Sequence, residues 1–209
     1  MNSERDTLIS EPDDGVYFAM NKGLQIAQGH LVVFMNAGDR FATSETLASV
    51  RGAYKADLDV VHGDVKFDTP RAGVVLRRSR GVSRRVFASH QAVYIRRTTH
   101  LCHQFDTSYK FAADYAVFAK LHTMGYSFCY LPMPLSITIV DASSLSVKNR
   151  PAMAWEDFQI NLKIIKWNWF AALSAYILSI TKIVIVKMLL AFPDAAMRLL
   201  PKKFGNRLY

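Results

Sequence analysis

The sequence predicts an α/β domain with a mostly parallel sheet, followed by a helical C-terminal segment. Three observations carry that prediction. Short apolar runs rich in β-branched residues alternate with amphipathic stretches as far as Asp141. Beyond Asp141 the pattern is helical throughout, broken at Pro151, Pro193 and Pro201. The composition, 51% hydrophobic and 21% charged over 209 residues, supports a packed core and excludes global disorder.

Taken in order, residues 16–28 (VYFAMNKGLQIAQ) read as a helix, with Asp13 or Asp14 placed to cap it and Gly29 to stop it. Residues 30–35 (HLVVFM) are bounded by Gly29 and Asn36-Ala37-Gly38 and predict a buried strand. Thr43 or Ser44 can cap a second helix that runs to about Lys55. Residues 59–62 predict another buried strand, which Gly63-Asp64 would turn back into 65–68. Residues 92–95 read as a strand, 114–124 as a helix closed by Gly125, and 127–131 and 135–140 as two strands. Ahead of the first helix only Thr7-Leu8-Ile9 offers a strand, whereas an open parallel sheet opens on a full strand and its crossover helix. The chain therefore reads as beginning in mid-domain, with its first βαβ portion missing. Residues 1–147 are expected to form the α/β domain and 148–209 an amphipathic helical tail.

Composition also narrows function. Cys102 and Cys129 are the only cysteines and form no CxxC, which excludes a disulfide scaffold and a cysteine-based zinc module. Residues 1–10 are polar and contain no apolar signal-peptide core. Net charge is +9, from 26 Lys and Arg against 17 Asp and Glu. Eight arginines and no acid fall between Arg71 and Arg97, and ten basic residues against three acids follow from Lys148 onward. The arginines at 77, 78, 80, 84 and 85 read as a solvated loop, a pyrophosphate clamp or a nucleic-acid patch. No nucleic-acid motif accompanies them, so nucleic acid is not an expected partner. The basic residues of the tail are mixed with Trp, Ile, Leu and Phe, which points to an anionic membrane surface.

Three short constellations could carry chemistry. Asn36-Ala37-Gly38-Asp39 follows the C-terminal end of strand 30–35, where open α/β sheets bind ligands. Asp39 there either closes a strand-to-loop turn or ligates a divalent cation that also holds a diphosphate. Asp114, at the start of helix 114–124, is either a helix cap or a general base. Ser89-His90-Gln91 precedes strand 92–95. His100 and His103 share one helical face, but no third metal ligand is evident nearby.

Together these pieces resemble the family 2 glycosyltransferases, in a fixed order along roughly residues 8–147. Ser10-Glu11-Pro12-Asp13-Asp14-Gly15-Val16-Tyr17-Phe18-Ala19-Met20-Asn21-Lys22-Gly23 is similar to the family's SEPDxGIYDAMNKG segment. Ala27-Gln28-Gly29, the apolar strand, Asn36-Ala37-Gly38-Asp39, Gly63-Asp64, Ala88-Ser89-His90-Gln91-Ala92, Phe105-Asp106, Tyr109-Lys110, Ala113-Asp114-Tyr115 and Gly125-Tyr126 follow. The likeness is strongest to bacterial enzymes that build colanic-acid-type exopolysaccharides and O-antigens.

The resemblance implies a GT-A fold and an inverting transfer from a nucleotide-sugar donor. It implies Asp39 as the residue holding Mg²⁺ or Mn²⁺ on the donor diphosphate, and Asp114 as the catalytic base. It further implies Gly15, Asn21, His90 and Gln91 around the donor, and a lipid-linked saccharide as acceptor. Phe18 stands where the family carries Asp, and no QxxRW motif follows, which argues against a processive synthase. The alternative function is a catalytically inactive, truncated remnant that keeps membrane association.

Residues 169–192 form a 24-residue apolar segment interrupted by Lys182 and Lys187. A lysine in mid-membrane costs about 2.5–3.5 kcal/mol. Ser174, Ser179, Thr181 and Lys182 share one side of the helix, opposite Leu173, Ile177, Ile180 and Val184. The segment is expected to lie in the membrane interface, with Lys163, Lys166, Lys202 and Lys203 near anionic headgroups. A helix packed on its own domain and a true span are the alternatives. The expected location is peripheral, on the cytoplasmic face of the bacterial inner membrane.

Overall fold

Alternation along two central strands shows how the core is divided. In the computed structural model, which describes residues 6–70, 72–79, 89–140 and 148–191, strand β3 (Val60–Thr69) sends Val60 to one face and Val61 and Val65 to the other. Strand β5 (Val93–Arg96) does the same with Val93 and Ile95 against Tyr94. This period-two pattern buries both faces of the sheet. The larger core cluster joins Val60, Val93 and Ile95 to helices α1 (Val16–Ile26) and α4 (Ala113–Thr123), and to Ile160 of α5 (Arg150–Lys163). The smaller joins Val61, Val65, Tyr94 and Leu135 to Val50 of α2 (Thr46–Ala53). Helix α4 is buried nearly all round, from Ala113 through Leu121, as a central helix must be.

The sheet has six strands in the order β1-β5-β3-β6-β2, with β4 (Gly73–Arg77) paired to β3. Strands β1 (Leu31–Val32) and β2 (Arg40–Phe41) form the ends of that order, and β6 (Phe128–Ile139) lies beside β3. Of the five pairings among the described residues, only β3–β6 is parallel. The expectation of a mostly parallel sheet is therefore corrected to a mixed one. The reason is visible in the connections. Strands β3 and β4 are joined by a short turn clasped by Thr69, whose Oγ1 donates to Gly73 O and accepts from Ala72 N, both at 3.1 Å. A link that short can only return a strand antiparallel. The parallel β3–β6 pair is separated by a long connection that includes α3 (Arg97–Cys102) and α4.

Other expectations are corrected locally. Gly63-Asp64 does not turn the chain: β3 runs straight through it, with register shifts against β6 on both sides of Asp64. A Cβ on Gly63 would lie 2.6 Å from Leu135 Cγ and 2.8 Å from the Met133 carbonyl oxygen, so glycine serves close approach. The two strands expected at 127–131 and 135–140 are one strand. Its prolines sit where the register slips, Gly63 facing Leu131 and Asp64 facing Pro134, so their missing N–H groups interrupt no regular ladder. Helix α1 is preceded by Gly15 with no side-chain cap from Asp13 or Asp14, whose neighbour Lys22 binds Asp13 at 2.7 Å instead. It ends at Ile26, ahead of Gly29. Helix α2 starts at Thr46, later than a Thr43 or Ser44 cap would set it, and Thr43 N donates to Thr46 Oγ1. Thr7-Leu8-Ile9 forms no strand, and Leu8 is exposed. Pro151 opens α5 at its first turn, where its missing N–H is harmless, and breaks nothing.

After α5 the chain turns a corner into α6 (Trp169–Ala191). Arg80, Arg84, Arg85, Pro193, Pro201, Lys202 and Lys203 all lie outside the described residues.

Replacing Gly63 by valine should destabilise the fold by about 1–3 kcal/mol, because the Met133 backbone cannot yield as a side chain can. Chemical denaturation of the two proteins checks this. An unchanged midpoint would contradict the close β3–β6 approach.

Candidate active site

A continuous chain of hydrogen bonds joins the two aspartates that the sequence singles out. Helix α4 presents Asp114 in its first turn. Asp114 Oδ1 accepts from the Tyr17 hydroxyl at 3.1 Å and from the Tyr115 amide at 2.9 Å. Asp114 Oδ2 lies 3.1 Å from His90 Nδ1. On the far side of the ring, His90 Nε2 lies 3.2 Å from Asn36 Nδ2. An amide donor at Nε2 assigns the proton of the neutral ring to Nδ1, which donates to Asp114. The Asn36 backbone N–H then donates to Asp39 Oδ2 at 2.8 Å, and Gln91 Nε2 donates to the same oxygen at 3.0 Å. Ser89 Oγ in turn donates to Gln91 Oε1.

Each part is held by local structure. Asn36 to Asp39 form a turn closed by Asp39 N donating to Asn36 O at 3.0 Å, with Gly38 at φ 90 supplying the positive angle the turn needs. His90 and Gln91 lie on a 3-10 turn, His90–Ala92, that feeds β5 at the centre of the sheet. Tyr17 packs its ring on Phe105, with centroids 5.3 Å apart, which aims its hydroxyl at α4.

Burial alone would raise the Asp114 carboxyl. The hydrogen bond and charge of His90, with the Tyr115 amide and Tyr17 hydroxyl, outweigh it and hold the group below the ordinary aspartate value. The same neighbourhood, burial first and the Asp114 charge second, drives the Tyr17 phenol far up, so it stays protonated and donates.

The donor set at Asp39 can be tested against the cation that the resemblance implies. Oδ2 is taken by two protein donors, whereas Oδ1 accepts from no described residue. Among the described residues no group of three or more His, Cys, Asp or Glu could cage an ion. One carboxylate with one open oxygen suits Mg²⁺ or Mn²⁺ shared with substrate phosphates, and does not suit a permanently held metal.

The remaining site candidates fall elsewhere. Asn21 is not brought to this chain of bonds. Its side chain clasps the backbone of Phe105, donating to Phe105 O at 2.9 Å and accepting from Phe105 N at 3.0 Å. Gly15 precedes α1 at φ 145, two residues before Tyr17. Surface hollows lie beside Pro12, Asp13, Asp14, Phe18 and Lys22, and between Thr7 and the end of α1, and neither is lined by the linked aspartates. His100 Nδ1 bonds His103 O at 3.1 Å, and His103 Nε2 bonds Tyr126 Oη at 2.8 Å, so this pair ties α3 to the core.

Two members were missed from sequence. Tyr17 occupies an apolar position of an amphipathic helix and reads as core; its spacing of four from Asn21 is the signal that both meet the 105–114 segment. Asn36 reads as a turn residue, which it also is.

A second polar group surrounds the Gly63-Asp64 bulge. Asp64, almost fully buried, accepts from Ser79 N at 2.9 Å and Tyr130 Oη at 2.8 Å. His62 Nδ1 lies 2.8 Å from Ser79 Oγ, and its ring packs 5.3 Å from Tyr130. Of the basic stretch, Arg77 lies over the Phe67 ring at 5.8 Å, and Arg96 donates to Leu58 O at 2.6 Å from one guanidinium nitrogen.

No protein-family model matches this chain. Over 99 residues it is 34% identical to the PGL/p-HBAD biosynthesis glycosyltransferase of Mycobacterium bovis (strain BCG) and to its counterpart in Mycobacterium tuberculosis (strain H37Ra). That stretch is 45% of this chain and 38% of each relative, so the chain spans well under half the length of the curated relatives it matches. The likeness supports a glycosyltransferase.

Burial lowers His62 from 6.5 to about 4, against the opposing pull of Asp64. Below pH 6.5 the unfolded chain takes up a proton that the folded one refuses. Stability should therefore fall as pH drops from 6.5 to 4. Denaturation midpoints across that window should decline less steeply for His62→Gln; an equal slope would remove His62 from the account.

Proposed function

We propose that this protein is an inverting, metal-assisted glycosyltransferase of the family 2, GT-A type, moving a sugar from a nucleotide-sugar donor to a lipid-linked saccharide acceptor. The observation that carries the reading is the unbroken connection from Asp114 through His90 and Asn36 to Asp39. The partial likeness to the mycobacterial glycosyltransferases supports its general part, glycosyl transfer.

The chemistry asks for two separate things. A sugar hydroxyl is a weak nucleophile at neutral pH, and a nucleoside diphosphate leaves only as its growing charge is neutralised. Asp114 meets the first need. Its carboxylate is ionised well below neutral pH, and Tyr17, Tyr115 and His90 fix its orientation before any acceptor arrives. It takes the acceptor proton as the hydroxyl attacks the anomeric carbon; that single displacement inverts the centre. Asp39 meets the second, through its open oxygen. A bound Mg²⁺ or Mn²⁺ there would supply charge neutralisation at the diphosphate. Gln91 and the Asn36 amide keep Asp39 aimed, and His90 is the rigid spacer between the two carboxylates. Gly15 and Asn21 shape the α1 segment on the donor side.

Membrane association rests on α6. Its stretch Trp169–Lys187 is long and apolar enough to cross a bilayer, and only 6% of it is buried. Trp169, Phe170, Ile177, Leu178, Val184 and Ile185 are exposed, which disfavours a helix packed on its own domain. With Lys163 and Lys166 exposed beside it, the helix suits a peripheral position on the cytoplasmic leaflet. That is where exopolysaccharide or O-antigen intermediates carried on lipid would be met.

Titration calorimetry with UDP- and GDP-sugars in Mn²⁺ should show donor binding that Asp39→Asn weakens. Asp114→Asn should leave donor affinity unchanged and reduce kcat by at least about 100-fold. Absence of binding to any donor would overturn the enzyme and favour a catalytically inactive remnant. In flotation with vesicles containing anionic lipid, the full chain should rise with the lipid without detergent; recovery in the soluble fraction would refute the membrane role of α6.

A further inference from the structure

Helix α4 has no cap of its own. The residue before it is Ala112, which has no side-chain acceptor, and its backbone sits at φ −132, ψ 23. The three backbone amides that lead into it are held instead by a carboxylate from far along the chain. Glu156, on α5, accepts from Lys110 N at 2.8 Å through Oε1, and from Phe111 N and Ala112 N, each at 2.9 Å, through Oε2. Three consecutive N–H groups thus converge on one side chain 44 to 46 residues away. Bonds from backbone amides to an ionised carboxylate are about twice as strong as neutral ones, and a negative charge is favoured at this end of a helix.

The placement matters because Asp114 lies two residues beyond the last of these amides. A second tie keeps α5 in register with α4. The Tyr115 hydroxyl donates to Asn161 Oδ1 at 2.7 Å in a buried pair, one turn further along α5. Asp114 is thereby bracketed between two groups of α5, while Tyr17 from α1 and His90 from the 3-10 turn hold its oxygens. Helix α5 also meets α6, where Tyr176 lies 5.8 Å from the Trp155 ring and 5.6 Å from that of Phe158.

We infer that Glu156 is a positioning residue for Asp114: by clamping the amides of Lys110, Phe111 and Ala112 it fixes the first turn of α4, and with it the direction of the Asp114 carboxylate toward His90. This deepens the proposed function, since it places part of the reaction's control in the helical segment after residue 148. Without the clamp, the three amides turn to water, the first turn of α4 frays, and the Asp114–His90 and Asp114–Tyr17 bonds lengthen.

The test is made on the full chain with Glu156→Gln, which keeps the shape and loses the charge, and Glu156→Ala, which removes both. Carbon-13 titration of the Asp114 carboxyl is the first readout. In Glu156→Ala it should move up toward the ordinary aspartate value of about 3.9, as the bonds that hold it down are lost, with Glu156→Gln intermediate. The groups facing Asp114 in that measurement are His90, Tyr17 and the Tyr115 amide; the Glu156 charge also raises the Tyr17 and Tyr109 phenols, so Tyr109 reports the loss of that charge directly. The second readout is kinetic: kcat should fall on the order of 10–100-fold with the donor KM unchanged. A plain structural cap would lower the melting temperature and leave both readouts alone, and that outcome in folded variants overturns the inference. A wild-type chain that turns over no donor defeats the proposed function only, because the Asp114 titration still decides the role of Glu156.

Discussion

The imidazole of His90 is the constraint on which the site depends. It stands between two acidic residues that are 75 positions apart in sequence and that would otherwise have no reason to hold a fixed separation. A ring is well suited to this. It has one donor and one acceptor in fixed directions, so pairing Nδ1 with Asp114 commits Nε2 to Asn36. Because His90 lies in a 3-10 turn leading straight into a central strand, its position is inherited from the most buried part of the sheet. The aspartates are carried on less central elements, a turn at one edge and a helix N-terminus, and both are drawn to the ring.

Around that ring the fold divides its labour. The face carrying α1, α4 and α5 holds the larger core, and from it Tyr17 reaches Asp114. The opposite face, with α2, holds a smaller core beneath the β3–β6 bulge. The bulge is where the chain places its second buried acid, Asp64, whose two donors stitch β6 to the end of the β3–β4 hairpin. Two satisfied acids in one small domain therefore have different fates: Asp64 is nearly sealed, and Asp114 keeps about a fifth of its side chain in contact with solvent.

Much of this was legible where local signals agree with the global fold. Helix α4 announces itself by its apolar run and by Gly125 behind it, and β5 by its β-branched residues between polar flanks. Asp39, His90, Gln91 and Asp114 could be singled out only through several motifs in a fixed order, because each alone fits a turn or a cap equally well. What escaped was long-range. Gly63-Asp64 has the local chemistry of a turn, and only the nearness of Leu135 makes it a strand. The sheet's mixed character depends on where the reversals fall, and Thr69 closes the hairpin that Gly63 was expected to make. Glu156 gives no local sign, since a clamp supplied from a distant helix leaves no mark on the sequence around Ala112.

Lys166, with φ 57, is the single described non-glycine residue in the left-handed region, and it stands between α5 and α6. Such a conformation costs a lysine about 1–2 kcal/mol. The Trp167 amide offsets part of this by bonding Asn161 O at 2.9 Å, so the residue whose side chain steadies Tyr115 also anchors the bend. The two helices consequently cannot merge into one long rod. The greasy arm leaves the body at an angle written into a single backbone joint, and lengthening or shortening the chain by one residue there would swing the whole arm to a new heading while leaving the carboxylates undisturbed.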